Sequence, residues 1–174
     1  MLKTDPVTNQ DYTLRTNIAN SVHKGIESYI EFNIFKYLNQ KSKYGLSIFN
    51  SFAYKDAKYT SGEFKGKRVE TAAKTINRVG LIFNNKQFST TIQVNNVGDA
   101  SNVKFSSDPI AGYIPAYTIL DINTTYKIKN YTVKAGLNNL ADKSYFTRRT
   151  DEYPGPGIIP SVVRSFYMGI SAKF

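Results

Sequence analysis

The chain has 174 residues, with 23 Lys and Arg against 13 Asp and Glu, a formal net charge of +10. It has no cysteine and one histidine, His23, which excludes disulfides, thiolate chemistry and any site that needs two histidines. No stretch approaches the roughly 20 apolar residues of a membrane-spanning helix, which leaves a membrane barrel open because barrel strands are only half apolar. Residues 1–10 read MLKTDPVTNQ, polar and without a signal-peptide pattern, so either a cytoplasmic protein or an exported chain that starts upstream is expected, and the rest of the sequence favours the second.

Period-two alternation then recurs in strand-length segments. Ile26, Ile30, Phe32, Ile34 and Leu38 share one side of a predicted strand over 22–38. Leu46, Ile48, Phe52 and Tyr54 do the same over 44–56, interrupted by Asn50. Val79, Leu81 and Phe83 define 75–84, and Phe88, Thr90, Ile92 and Val94 define 87–98. Leu120, Ile122, Thr124 and Tyr126 alternate with Asp121, Asn123, Thr125 and Lys127 over 115–128. Tyr131, Val133, Ala135 and Leu137 mark 130–140. Phe166, Met168, Ile170, Ala172 and Phe174 mark 163–174. The result is an all-β, antiparallel expectation of seven strands.

The connections alternate in length. Short polar turns fall at Asn39–Lys43, Asn84–Lys86 and Lys129–Asn130, and long loops run over 57–74, 99–114 and 141–162. The second face of each strand carries Ser, Thr, Asn, Gln and Gly with few charges, which suits a wet barrel interior with the apolar face toward lipid. A transmembrane β-barrel segment is therefore expected, in which the Phe166, Met168, Ile170 and Ala172 stripe faces lipid. Tyr37, Tyr44, Phe83, Tyr126 and Tyr131 suit an aromatic girdle at the short-turn end. Two alternatives stay open: a soluble β-sandwich binding module, and a small stand-alone outer-membrane barrel.

The residues IPAYTILDINTTYKIKNYTVKAGLNNLADKSYFTRR, 114–149, resemble the end of a TonB-dependent receptor. The resemblance rests on a "Y-x-x-x-D" strand, Tyr117 to Asp121, a tight turn, and "G-x-x-N-L-x-D-x-x-Y" at Gly136, Asn139, Leu140, Asp142 and Tyr145. Residues 145–167 are similar to the ferric citrate receptor branch of that family. Gly25–Glu27 and 64–81 resemble earlier family strands, although Ala73 stands where the pattern usually has proline. This family builds barrels of about 22 strands around a plug, so the resemblance implies roughly strands 16 to 22, the last third of the barrel, over 22–174. Residues 1–21 are then expected to be the remnant of an extracellular loop. Seven strands fall short of the eight or so of the smallest bacterial barrels, so a C-terminal fragment with an open sheet is expected.

The resemblance further implies an outer-membrane protein serving energised uptake of a ferric chelate, ferric citrate or a siderophore. The implied partners are the TonB complex through a more N-terminal part, outer-membrane lipid and lipopolysaccharide, and the barrel assembly machinery through Phe174. Arg148 and Arg149 are the candidate ligand-binding residues, because a guanidinium fork suits carboxylates. The competing reading pairs them with Asp151, Glu152 or Asp142 as loop braces. The loop 57–74 is basic, with Lys58, Lys65, Lys67, Arg68 and Lys74 against Glu63 and Glu70. His23 reads as solvated, and no metal ligand set or cofactor is expected. A nucleic-acid module would put aromatics and basic residues on one strand face. Here the aromatics share faces with aliphatics and the lysines gather at turns. No nucleophile, carboxylate pair or phosphate loop points to an enzyme.

Overall fold

The computed structural model describes residues 2–13, 17, 19–70, 72–101, 112–150 and 157–173. A short hairpin comes first, β1 (Leu2–Thr4) with β2 (Asp11–Thr13). Its turn is held by Asp5, whose Oδ1 accepts from the N–H of Val7 at 2.8 Å and of Thr8 at 3.1 Å. Those two backbone donors hold the Asp5 carboxyl below its ordinary value.

The main sheet is built from β3 (Ser21–Asn33), β4 (Gly45–Tyr59), β5 (Thr75–Asn84), β6 (Phe88–Val97), β9 (Tyr117–Ile128), β10 (Tyr131–Asn138) and β13 (Ser165–Ala172). Every neighbour is antiparallel, in the order β13-β10-β9-β6-β5-β4-β3. The seven strands and their chain-order pairing agree with the alternation of the sequence. The sheet is open: β3 and β13 each have an outer edge with no partner strand among the described residues.

The first predicted strand ends early. Residues 34–38, expected to be extended, form the helical turn α1 (Ile34–Leu38). Asn33 caps it, its Oδ1 accepting from the Lys36 N–H at 2.9 Å, and the Asn39 N–H closes it on the Phe35 carbonyl. The turn folds Tyr37 back onto Phe32, ring centroids 5.4 Å apart. Ile34 and Leu38 suit both a strand face and one helical turn, and the asparagine cap decides between them. The long connections also hold local structure: β7 (Ala100–Ser101) pairs with β8 (Tyr113–Ile114), and β11 (Phe146–Thr150) with β12 (Gly157–Pro160).

The two faces of the sheet differ sharply. Its buried strand residues are Gly45, Ser47, Phe49, Ala57, Gly80, Asn95, Asp121 and Gly136, and the registers place all of them on one side. Among the described residues no second sheet covers that side. Side chains crowd one another there because it is the inside of a curved sheet. Glycines make room for aromatics on it. A Cβ on Gly80 would stand 2.5 Å from Phe49 Cε1 and 2.7 Å from the Ile92 carbonyl oxygen. Gly80→Ala is therefore expected to destabilise by about 1–3 kcal/mol through overpacking, measured by urea unfolding.

The opposite, convex face is apolar and splayed. One row crosses all seven strands by direct pairing: Phe32, Ile48, Leu81, Ile92, Ile122, Leu137 and Phe166. On the edge strand Phe166 is 82 % exposed, Met168 71 % and Ile170 67 %. Leu137 is exposed, while Leu120, Ile122 and Val133 are half-covered by their strand neighbours and none is buried. A sandwich would have enclosed this face, so the two-sheet alternative fails. The open edges likewise exclude a closed small barrel.

Candidate functional site

The candidate site lies where the long connections meet, at the β3 N-terminal end of the sheet. Two strand residues anchor it. Asp121 is buried; its Oδ2 accepts from Asn95 Nδ2 at 2.6 Å and its Oδ1 from the Asn139 N–H at 2.9 Å. Asn139, 2 % exposed and at φ +50°, leaves β10 in the left-handed region that asparagine tolerates. Its side chain then clasps Lys143, donating to the carbonyl and accepting from the N–H, both at 2.9 Å. Asp142 Oδ1 accepts from the Arg164 N–H at 3.0 Å and so draws the start of β13 toward the end of β10.

Tyr145 stacks on Tyr117 at 4.4 Å, and Tyr167 lies over Gly136 while donating to Asn123 Oδ1 at 2.7 Å. Of the residues that carry the sequence signature, Asp121, Asn139 and Asp142 thus form one hydrogen-bonded clasp, while Tyr117 and Tyr145 stack on each other and Gly136 makes room for Tyr167. The clasp sets where the last loop leaves the sheet.

Two arginines bracket neighbouring loops. Arg68 binds the Asp99 carboxylate at 2.7 Å and the Asp99 carbonyl at 3.0 Å, joining the β4–β5 loop to the segment before β7. Arg149 donates from Nε to the Tyr113 carbonyl at 2.7 Å and lies over the Phe146 ring at 5.1 Å, tying β11 to β8. Arg68 was visible in the sequence only as one charge of a basic loop. Its partner is 31 residues away, and nothing local announces the pair.

Arg148 and Arg149 are consecutive in β11, paired with Ile159 and Ile158, so their side chains leave opposite faces of the hairpin. Arg149 is half-buried and Arg148 exposed. Asp142, one of the expected partners, is engaged with Arg164 instead, and Asp151 and Glu152 lie outside the described residues. So do Phe174 and the turn residues Pro154, Gly155 and Pro156. Lys58, expected in the basic loop, lies among the last residues of β4 and pairs with Asp56 at 3.2 Å, and in the loop itself Lys67 lies over the Phe64 ring at 5.8 Å. His23 is exposed, with Nε2 3.1 Å from Ser21 Oγ. Among the described residues no group of three His, Asp or Glu side chains could hold a metal.

An open antiparallel sheet that is polar inside, apolar outside, short-turned at one end and long-looped at the other is a segment of a membrane β-barrel wall. The chain belongs to the family described as TonB dependent receptor-like, beta-barrel, which matches residues 1–140.

Among solved structures it is similar to the ferric citrate transporter FecA in its unliganded form, at 22 % identity and TM-score 0.73, covering 88 % of this chain and 24 % of that one. It is similar to the ferric yersiniabactin uptake receptor FyuA of Yersinia pestis, at 14 % identity and TM-score 0.66, covering 91 % and 24 %. The siderophore receptor PiuA of Acinetobacter baumannii matches at 18 % identity and TM-score 0.59, covering 97 % and 23 %. At these identities the likeness shows the fold, and the chain spans about a quarter of each receptor's length. No curated protein sequence matches the chain.

Proposed function

We propose that this chain is the C-terminal part of the barrel wall of an outer-membrane receptor that takes up a ferric chelate, with TonB supplying the energy. The observation that carries this reading is the likeness to the ferric citrate transporter, together with family membership. The polar concave face is then the lumen wall, the clasp around Asp121 sits at the outer rim, and residues 1–21 belong to an outer loop. In support of that last placement, the Thr60 N–H donates to the Asn20 carbonyl at 2.8 Å, beside the β4–β5 loop. The role is binding and passage, without a catalytic step. The wider partners are outer-membrane lipid, lipopolysaccharide and the barrel assembly machinery, the last through Phe174.

The substrate class is an anionic ferric chelate, ferric citrate or a carboxylate siderophore. Arg148 is the residue proposed to face it, since its guanidinium is exposed, whereas Arg149 is committed to Tyr113 and Phe146. In the receptor that contains this chain, Arg148→Ala is expected to weaken ferric citrate binding by about 1.5–3 kcal/mol, the scale of one charge-assisted hydrogen bond. Arg149→Ala is expected to lower folding yield with little change in affinity. Equilibrium binding to detergent-solubilised receptor checks both, and unchanged affinity in Arg148→Ala removes that residue from the site.

A further inference from the structure

The clasp around Asp121 has one unmet end. Asn95 is 8 % exposed, and its Nδ2 donates to Asp121 Oδ2 at 2.6 Å. That bond fixes which end of the amide faces Asp121 and leaves Oδ1 as the other end. Asn95 Oδ1 is buried and accepts no hydrogen bond. A buried acceptor without a donor costs stability, so this one calls for a donor that arrives in function.

The cation directly across the strand pair is Arg78. It is exposed, and it lies on the concave face two residues from Gly80. Its carbonyl accepts from Asn50 Nδ2, but among the described residues no hydrogen bond or ion pair engages its guanidinium. The acids on the same face are occupied or distant. Asp121 has both oxygens taken, by Asn95 and by the Asn139 N–H. Glu27 stands two strands away on β3.

The level of the pair along the sheet matters. On β5, β6 and β9 the apolar convex face ends between the row Val79, Val94, Leu120 and the row Asn77, Asn96, Thr118. Asn77 accepts from Asn50 Nδ2 at 2.7 Å, and Asn96 donates to Thr118 Oγ1 at 2.8 Å. Arg78 and Asn95 are the chain neighbours of Asn77 and Asn96 and point the other way, into the concavity. They therefore line the inner wall toward the long-loop end, where a solute entering from the loops arrives. Tyr117, stacked on Tyr145, stands one row nearer the loops, opposite Val97.

We propose that Arg78 is a chelate-binding residue of the inner wall, taking a carboxylate of the ferric chelate while also donating to Asn95 Oδ1. Asn95 is then a positioning residue, itself oriented by Asp121. The inference rests on the reading of this chain as the wall of a receptor for an anionic ferric chelate. A guanidinium carries five donors in a fixed fork, so it can serve a carboxylate and an amide carbonyl together. Directly paired residues hold their Cβ atoms about 4.5–5.5 Å apart, a span that an arginine side chain covers. The amide carbonyl adds no charge, so the cation stays uncompensated until an anion binds.

The test is equilibrium binding of ferric citrate to the detergent-solubilised receptor that contains this chain, with urea unfolding of the same proteins. Arg78→Gln is expected to raise Kd about 10- to 100-fold, the loss of a charge-assisted hydrogen bond, with an unchanged unfolding midpoint. Arg78→Lys restores the charge without the fork and should recover only part of the affinity. Asn95→Ala should raise Kd and also lower the midpoint, because Asp121 loses a donor. In the Arg78→Gln background Asn95→Ala should raise Kd no further.

Unchanged affinity in Arg78→Gln, with the wild-type receptor binding ferric citrate, overturns the proposal and leaves the receptor reading intact. If that variant keeps its affinity but unfolds earlier, Arg78 pairs with an acid of a segment held inside the barrel, and the proposal fails. Additive effects of Arg78→Gln and Asn95→Ala on Kd overturn the positioning role of Asn95. A wild-type receptor that binds no ferric citrate overturns the chelate reading itself.

Discussion

In the receptor that contains this chain, folded in phospholipid vesicles, Ile122→Arg is expected to cost about 2–4 kcal/mol of folded stability, the penalty of a cation at the bilayer midplane on a barrel's lipid face. Ile122 lies midway along β9 on the convex face, flanked by Ile92 and Leu137 in the row that crosses all seven strands. An arginine there can reach neither headgroups nor the lumen, because its Cβ points outward and water is several residues away along the strand. Ile170→Arg makes the comparison informative. Ile170 pairs with Val133, which pairs with Tyr126, so it lies on the aromatic side of the sheet near the short turns. Its cost should fall toward about 0–1 kcal/mol, because the guanidinium can snorkel to the interface. Urea titration of the vesicle-folded protein measures both. Equal costs at the two depths, or none at Ile122, would count against a lipid-facing convex surface.

Asp121→Ala is expected to cost roughly 3 kcal/mol, from two hydrogen bonds to a charged acceptor at about 1.5–3 kcal/mol each, less the relaxation of the freed groups. The variant leaves Asn95 Nδ2 and the Asn139 N–H without their acceptor in a buried place, and an unmet buried donor costs more than a missing contact. Asn139→Ala should cost less, since the Asp121–Asn139 bond runs through the backbone N–H and survives. What it loses is the clasp on Lys143. The double variant should fall short of the sum, because both substitutions loosen one junction. Full additivity in urea unfolding would show that the two residues act separately.

The strands were legible because their signal is local. A strand exposes alternate residues to opposite sides, so four positions at spacing two, nearly all apolar, are enough to mark Phe88–Val97 or Tyr131–Asn138. The alternation of short and long connections needed only counting. Short structure was illegible for the same reason. A two-residue pairing such as Ala100–Ser101 with Tyr113–Ile114 has no periodicity to detect. Ile34–Leu38 is one helical turn whose apolar spacing also fits a strand, and the Asn33 cap is a weak signal beside a long apolar run. The signature Tyr117, Asp121, Gly136, Asn139, Asp142 and Tyr145 pointed to the family, yet its spacing gave no indication that Asp121 and Asn139 bond to each other or that Tyr117 stacks on Tyr145.

By itself, then, the amino-acid sequence determined the strands, their two unlike faces and the uneven distribution of charge between turns and loops, since each of these depends on residues a few positions apart. Only the tertiary structure decided which residues stand opposite one another, which face curves inward, and how Arg148 and Arg149 divide between solvent and the Tyr113 carbonyl. Those outcomes depend on register between strands and on loops that meet after tens of intervening residues. Arg68 reaches Asp99, and Asp121 reaches Asn139, only once the sheet has brought the ends of β4, β6, β9 and β10 to one rim.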